Sequence, residues 1–179
     1  MPYAPAMSQQ SPGHGLGVAP GRLVRRAVAG LATAGALLFA WWFVTNPAAL
    51  PTRDGHVTAV TAAGRPVYVG VWSAGAAFDR ELHVAGVHLR AAATVAVPLD
   101  PLLCRGGSVG VTSDPEPFCR ALLDPAGATL GPGDSIVVRV VGEEPGALYL
   151  DRPAIAFREG PRWGKREAGT EAVLAILTP

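Results

Sequence analysis

The sequence predicts an all-β domain, an antiparallel sandwich of about seven or eight short strands, preceded by one transmembrane α-helix. Three observations carry that expectation. Ala27 to Val44 (AVAGLATAGALLFAWWFV) is a run without a single charge. Beyond residue 56 the apolar residues recur with period two, the spacing of a half-buried strand. Gly- and Pro-containing turns interrupt these stretches every dozen residues or so, as in a sandwich.

The apolar run is the strongest signal. Eighteen helical residues at 1.5 Å each cover about 27 Å, close to the roughly 30 Å hydrocarbon core of a bilayer. No charge separates Arg26 from Arg53, so the span extends to residues 23–46 with its flanks. Arg22, Arg25 and Arg26 precede it, Trp41 and Trp42 lie near its far end, and no acidic residue occurs before Asp54. Cations are retained on the cytoplasmic side and Trp rings favour the interface. This predicts a single-pass signal-anchor in the cell membrane, N-terminus cytoplasmic and C-terminal domain extracytoplasmic. A cleaved signal fits less well, because Ala49 preceded by Pro47 is a poor small-x-small site and the run exceeds the usual apolar region. Arg25-Arg26 followed by Ala27-Val28-Ala29 is a weak twin-arginine match. A buried helix of a soluble protein would need a polar face, which the run lacks.

Charge and composition narrow the partners. Three of the 15 basic residues and none of the 14 acidic ones precede residue 51, which leaves residues 51–179 at a net −2. A domain of that balance lacks the basic surface that phosphate neutralisation needs, which argues against nucleic acid. Residues 51–179 suffice for one domain with its own core. Aromatics make up only 7% of the chain, so that core must come from Val, Leu, Ile and Ala. The two cysteines, Cys104 and Cys119, both follow the span. An even count outside the cytoplasm reads as a disulfide. Neither a metal site nor a lipid-modified cysteine fits their neighbours and positions as well.

In chain order, residues 1–22 are rich in Pro, Gly, Ser and Gln and predict a disordered cytoplasmic tail. Pro2-Tyr3-Ala4-Pro5 resembles a PxxP ligand at the level of chance. Gly30 and Ala34 form a small-xxx-small pair near Ala27, the pattern of a homodimer through the anchor helix, though an Ala/Gly-rich span produces it readily. Residues 47–55, with Pro47 and Pro51, predict an extended linker, and residues 56–179 the sandwich. Its strands are expected at 56–62, 67–72, 81–90, 93–99, 108–112, 135–141, 147–158 (one or two strands around Pro153) and 171–177. In the third, Leu82 and Val84 have one parity and Val87 and Leu89 the other. A bulge at Ala85-Gly86 would turn all four to the core and bring His83 and His88 onto one exposed face. No helix is expected after the anchor, beyond a turn over 119–123.

This layout resembles an immunoglobulin-like sandwich in architecture. The Trp and widely spaced cysteine framework of antibody domains is absent, since Cys104 and Cys119 are close in sequence.

Sites of chemistry are scarce. His83 and His88 with Glu81 would make a metal patch, but exposed strands often carry histidine beside charge. Asp114-Pro115-Glu116-Pro117 is too stiff and sparse for a calcium loop. Ser73, Asp79 and His83 are near in sequence without a nucleophile elbow. Glu143-Glu144 precedes Pro145-Gly146, a turn signature. No catalytic residue, metal site or cofactor is assigned. Phe157 to Gly169 (FREGPRWGKREAG) is the binding candidate, read as the connection between the last two strands, with residues 159–169 an exposed hairpin tip. It sets Arg162, Trp163 and Arg166 together, an aromatic among cations suited to a sugar, a protein hot spot or lipid headgroups, although a Trp163 that folds back to cap the sandwich among solvated charges is the more ordinary arrangement. In a sandwich such a loop is expected at the end away from the linker. The resulting expectation is a noncatalytic cell-envelope protein whose domain binds or scaffolds a protein or wall-polymer partner. The alternative is an extracytoplasmic enzyme or metal-binding domain using the His83/His88 face.

Overall fold

Residues 21–179 are described by the computed structural model, so the expectations for the tail and for Pro2-Tyr3-Ala4-Pro5 fall outside them. The first element is α1 (Arg22–Thr45). Its stretch Val24–Thr45 is long and apolar enough to cross a bilayer, a property that a signal helix shares. The helix stops where chemistry requires. Thr45 Oγ1 donates to the Trp41 carbonyl at 2.9 Å and Asn46 Nδ2 to the Trp42 carbonyl at 3.0 Å. Pro47 then follows, and a residue before proline is pushed out of helical geometry. The chain divides between Phe39 and Ala40, so the last turns of α1 belong with the β domain.

Thirteen strands follow among the described residues: β1 (Thr52–Ala62), β2 (Val67–Ser73), β3 (Leu82–His88), β4 (Ala91–Ala93), β5 (Leu99–Arg105), β6 (Val111–Thr112), β7 (Ala121–Leu123), β8 (Thr129–Leu130), β9 (Ser135–Val140), β10 (Gly146–Leu150), β11 (Ala154–Glu159), β12 (Arg162–Glu167) and β13 (Gly169–Leu177). They form three sheets, ordered β1-β13-β10-β4, β12-β11-β3-β8 and β6-β2-β9-β5-β7. The sheets are antiparallel except that β1 pairs with β13 in parallel. The domain is therefore an all-β assembly of packed antiparallel sheets behind one helix, in more and shorter strands than the alternation indicates.

One core joins all three sheets. It contains Val69 and Trp72 of β2, Leu82 and Val84 of β3, Ile136 and Val138 of β9, Ile155 and Phe157 of β11, and Leu174 of β13. Aliphatic side chains dominate it, as the low aromatic fraction requires. A smaller cluster forms around Cys104, Val109, Cys119 and Val137, with Tyr68 and Leu122 against it. Cys104 and Cys119 are joined as a disulfide across a separation of 15 residues. In the chain-entropy account, closing a loop of that length contributes about 3 kcal/mol. Buried Asp134 secures the same region. Its carboxylate accepts the Arg105 guanidinium and the backbone N–H groups of Gly106 at 2.8 Å and Gly131 at 3.0 Å.

Several elements differ from expectation. Residues 52–55 are not linker but the start of β1, with Gly55 at φ +92° where the β1–β13 register shifts. The strand expected at 93–99 lies instead at Leu99–Arg105, across Pro101. Pro101 lies opposite Val138 of β9, but on the other side β7 covers only Leu103 to Arg105, so β5 is an edge strand at the proline. The helical turn is a 3-10 turn at Glu116–Phe118, and residues 121–123 form β7. Most consequential, the hairpin tip expected over 159–169 closes at Gly160-Pro161, and Arg162–Glu167 is its second strand, β12.

Candidate functional site

The chain leaving α1 does not hang free. Asn46 to Pro51 is laid onto the β domain as a strap, with Pro47 and Leu50 buried. Arg166 donates Nε to the Pro47 carbonyl at 2.9 Å and Nη2 to Asn46 Oδ1 at 3.2 Å. Arg80 donates Nη1 to the Ala49 carbonyl at 2.8 Å and Nη2 to that of Ala48 at 3.3 Å. The Pro51 carbonyl accepts the Trp72 indole N–H at 3.2 Å and the Gly169 N–H at 2.9 Å. Carbonyls that water would otherwise satisfy are thus taken by arginines and an indole, and charge-assisted bonds of this kind are the stronger ones.

Arg80 is itself held. It forms a two-pronged pair with Glu159, both contacts at 2.7 Å, and lies 5.6 Å from the Phe78 ring centre and 5.9 Å from that of Phe157. The Arg80 hydrogen bond holds the Glu159 carboxyl below its ordinary 4.5; burial opposes the shift, and the charges of Arg80 and Arg162 reinforce it. Gly164 makes the close approach of the strap feasible. A Cβ at that position would stand 2.8 Å from Pro47 Cδ and 3.3 Å from the Thr45 carbonyl oxygen.

The β11–β12 hairpin turns at Gly160-Pro161, and its register separates two faces. Glu159↔Arg162, Phe157↔Gly164 and Ile155↔Arg166 pair on the side of the strap and core. Arg158↔Trp163, Ala156↔Lys165 and Ala154↔Glu167 pair on the outer side. Arg162, Trp163 and Arg166 are therefore not one patch. The Arg162 guanidinium carbon lies 4.0 Å from the centre of the Phe43 ring, Arg166 binds the strap, and Trp163 is 52% exposed on the opposite face. The hairpin adjoins the exit of α1, not the end away from the linker. A glycine in the otherwise large-residue strand Arg162–Glu167 was the available sign of close backbone approach.

The bulge in β3 is present. Ala156 pairs with Gly86 and Phe157 with Val84, which leaves Ala85 as the extra residue. His83 and His88 are consequently both exposed on the outer face. His83 lies across from Arg158, and its Nδ1 is 3.2 Å from Thr129 Oγ1. A cation opposite a ligand disfavours a metal ion. Among the described residues no three His, Cys, Asp or Glu side chains are grouped to hold one. Nor do Ser73 and His83 meet: Ser73 Oγ accepts the Gly75 N–H at 3.3 Å on the sheet of β2, while His83 belongs to that of β3. A hollow of about 480 Å³ beside Ser73 is lined by Pro51, Trp72, Val109 and Gly169 among others, with neither a histidine nor a carboxylate in its wall. What this region can do is hold a chain segment in place and present cations around an indole. No protein family, curated protein or solved structure matches the chain.

Proposed function

We propose that this is a noncatalytic, single-pass membrane protein of the cell envelope. The anchor is α1, with the N-terminus cytoplasmic, and the β domain stands outside to bind or scaffold a protein or wall-polymer partner. The strap is the observation that carries the reading. A domain that merely needed tethering would be served by a loose linker, whereas here every residue from Asn46 to Pro51 except Leu50 has a polar atom or ring engaged by Arg80, Arg166, Trp72, Gly164 or Gly169. Such a strap gives the domain one orientation at the helix exit, which suits a protein that positions something at a membrane. The cations flanking α1 and its terminal Trp pair support the direction of insertion.

The test is protease added to intact cells. Removal of the β domain with survival of a membrane-bound N-terminal fragment agrees with the proposal. Protection of the C-terminus contradicts the orientation. Stoichiometric metal in the purified full chain would favour the alternative built on His83 and His88.

A further inference from the structure

Residues 43–47 pack against β12, so if α1 spans a bilayer, the depth of the β11–β12 hairpin follows. Phe43 lies in the last turn of α1 and carries Arg162 on its ring at 4.0 Å, while Pro47 carries Gly164 and Arg166. The apolar stretch of the helix ends at Thr45. Backbone beside residues 43–47 is therefore at the depth where hydrocarbon gives way to headgroups.

The chemistry of the hairpin suits that depth. Trp72 is buried, and the exposed indoles are Trp41, Trp42 and Trp163. Two of the three end the helix and the third lies on the strand packed beside it, so all three fall in one belt. Arg158 is exposed directly across from Trp163, and Lys165 is exposed two residues along the same face. The acid at the tip does not neutralise them, because Glu159 turns to the other face and is committed to Arg80. Glu167, at the far end of β12, lies 3.6 Å from Arg90.

We propose that the hairpin is a membrane foot. Trp163 rests in the headgroup layer, and Arg158 and Lys165, which share its face, contact the phosphates of anionic phospholipid. This rests on reading α1 as an anchor. Amphipathic indoles favour that layer, and basic residues close to an anionic surface each add to binding. The foot gives the domain a second contact with the bilayer besides the helix, so that it cannot rotate about the helix exit.

The test uses the full chain in lipid nanodiscs that contain a headgroup-spin-labelled lipid as quencher. Trp163→Phe, checked for an unchanged melting temperature, isolates one indole by difference. One of three exposed indoles is removed, so a loss of roughly a third of the lipid-quenched emission is expected. Quenching of Trp163 should be greater with phosphatidylglycerol than with phosphatidylcholine alone, and Arg158→Gln with Lys165→Gln should remove that difference. Trp163 emission quenched by aqueous iodide and untouched by the labelled lipid would overturn the proposal. Equal quenching in the two lipids would overturn the phosphate contact. If Trp163→Phe itself shows no lipid quenching, Trp41 and Trp42 are outside the bilayer and the anchor reading fails as well.

Discussion

The Arg166 guanidinium donates to the carbonyl oxygen of Pro47 at 2.9 Å, across 119 residues of sequence. The next-to-last strand thereby grips the first residue but one after the helix. Replacing Arg166 by Ala leaves the Pro47 carbonyl and Asn46 without these partners. Hydrogen bonds to charged groups contribute about 1.5–3 kcal/mol each, and the lower figure applies at a half-buried position. Arg166→Ala is expected to lower the melting temperature by several degrees and to open the strap to protease. Unchanged cleavage between Asn46 and Pro51 would mean that the strap holds without Arg166.

Gly164 tests the same contact by bulk. A side chain there meets Pro47 and the Thr45 carbonyl, so Gly164→Val should free the strap while the β11–β12 ladder persists. Hydrogen exchange reads both outcomes: the Gly169 amide, bonded to the Pro51 carbonyl, should lose protection. Retained protection at Gly169 would show that the strap tolerates the intrusion.

Acid should weaken the Arg80–Glu159 pair. The Glu159 carboxyl is held below its ordinary 4.5 by Arg80, so the folded protein binds fewer protons at this site than the unfolded chain. Its stabilising contribution is complete above about 4.5 and is lost as pH falls through the lowered value. Glu159→Gln should be less stable than the parent at neutral pH and should show a shallower loss of stability below pH 4.5. Parallel acid profiles would assign the loss to other carboxylates.

Ala85 sets the facing of β3. As the extra residue it lets Val87 and Leu89 face the same side as Leu82 and Val84, so a strand lacking it alternates simply with every side unchanged. Deletion of Ala85 should leave His88 outward and be mild, whereas one further residue inserted after Ala85 should turn His88 inward and cost at least as much as burying one unpartnered polar side chain, about 2 kcal/mol or more. An insertion variant with the parent's melting temperature would mean that the bulge absorbs the extra residue.

The parts legible in the sequence were those with a local signature. The uncharged span, the Ala85 bulge and the Cys104–Cys119 pairing each follow from residues near one another. β12 escaped because Arg162, Trp163, Gly164, Lys165, Arg166 and Glu167 hold no apolar alternation; its inward side faces the strap, so arginines take the positions where a core strand has valine. The parallel partnership of β1 with β13 escaped for another reason. It joins the two ends of the domain, and no local pattern records a pairing such as His56 with Glu171. Of the candidate residues, Arg162, Trp163 and Arg166 were legible by type. Their division between two faces was not, because it depends on the Glu159↔Arg162 register.

The most direct measurement is a distance between spin labels in the full chain in lipid nanodiscs. Ala40→Cys and Lys165→Cys place labels at exposed positions on the helix end and on β12, and the native cysteines are tied up as a disulfide. One narrow distance distribution is expected, broadened when Arg166→Ala is added. A broad distribution in the parent would contradict it, because the domain would then swing on its linker.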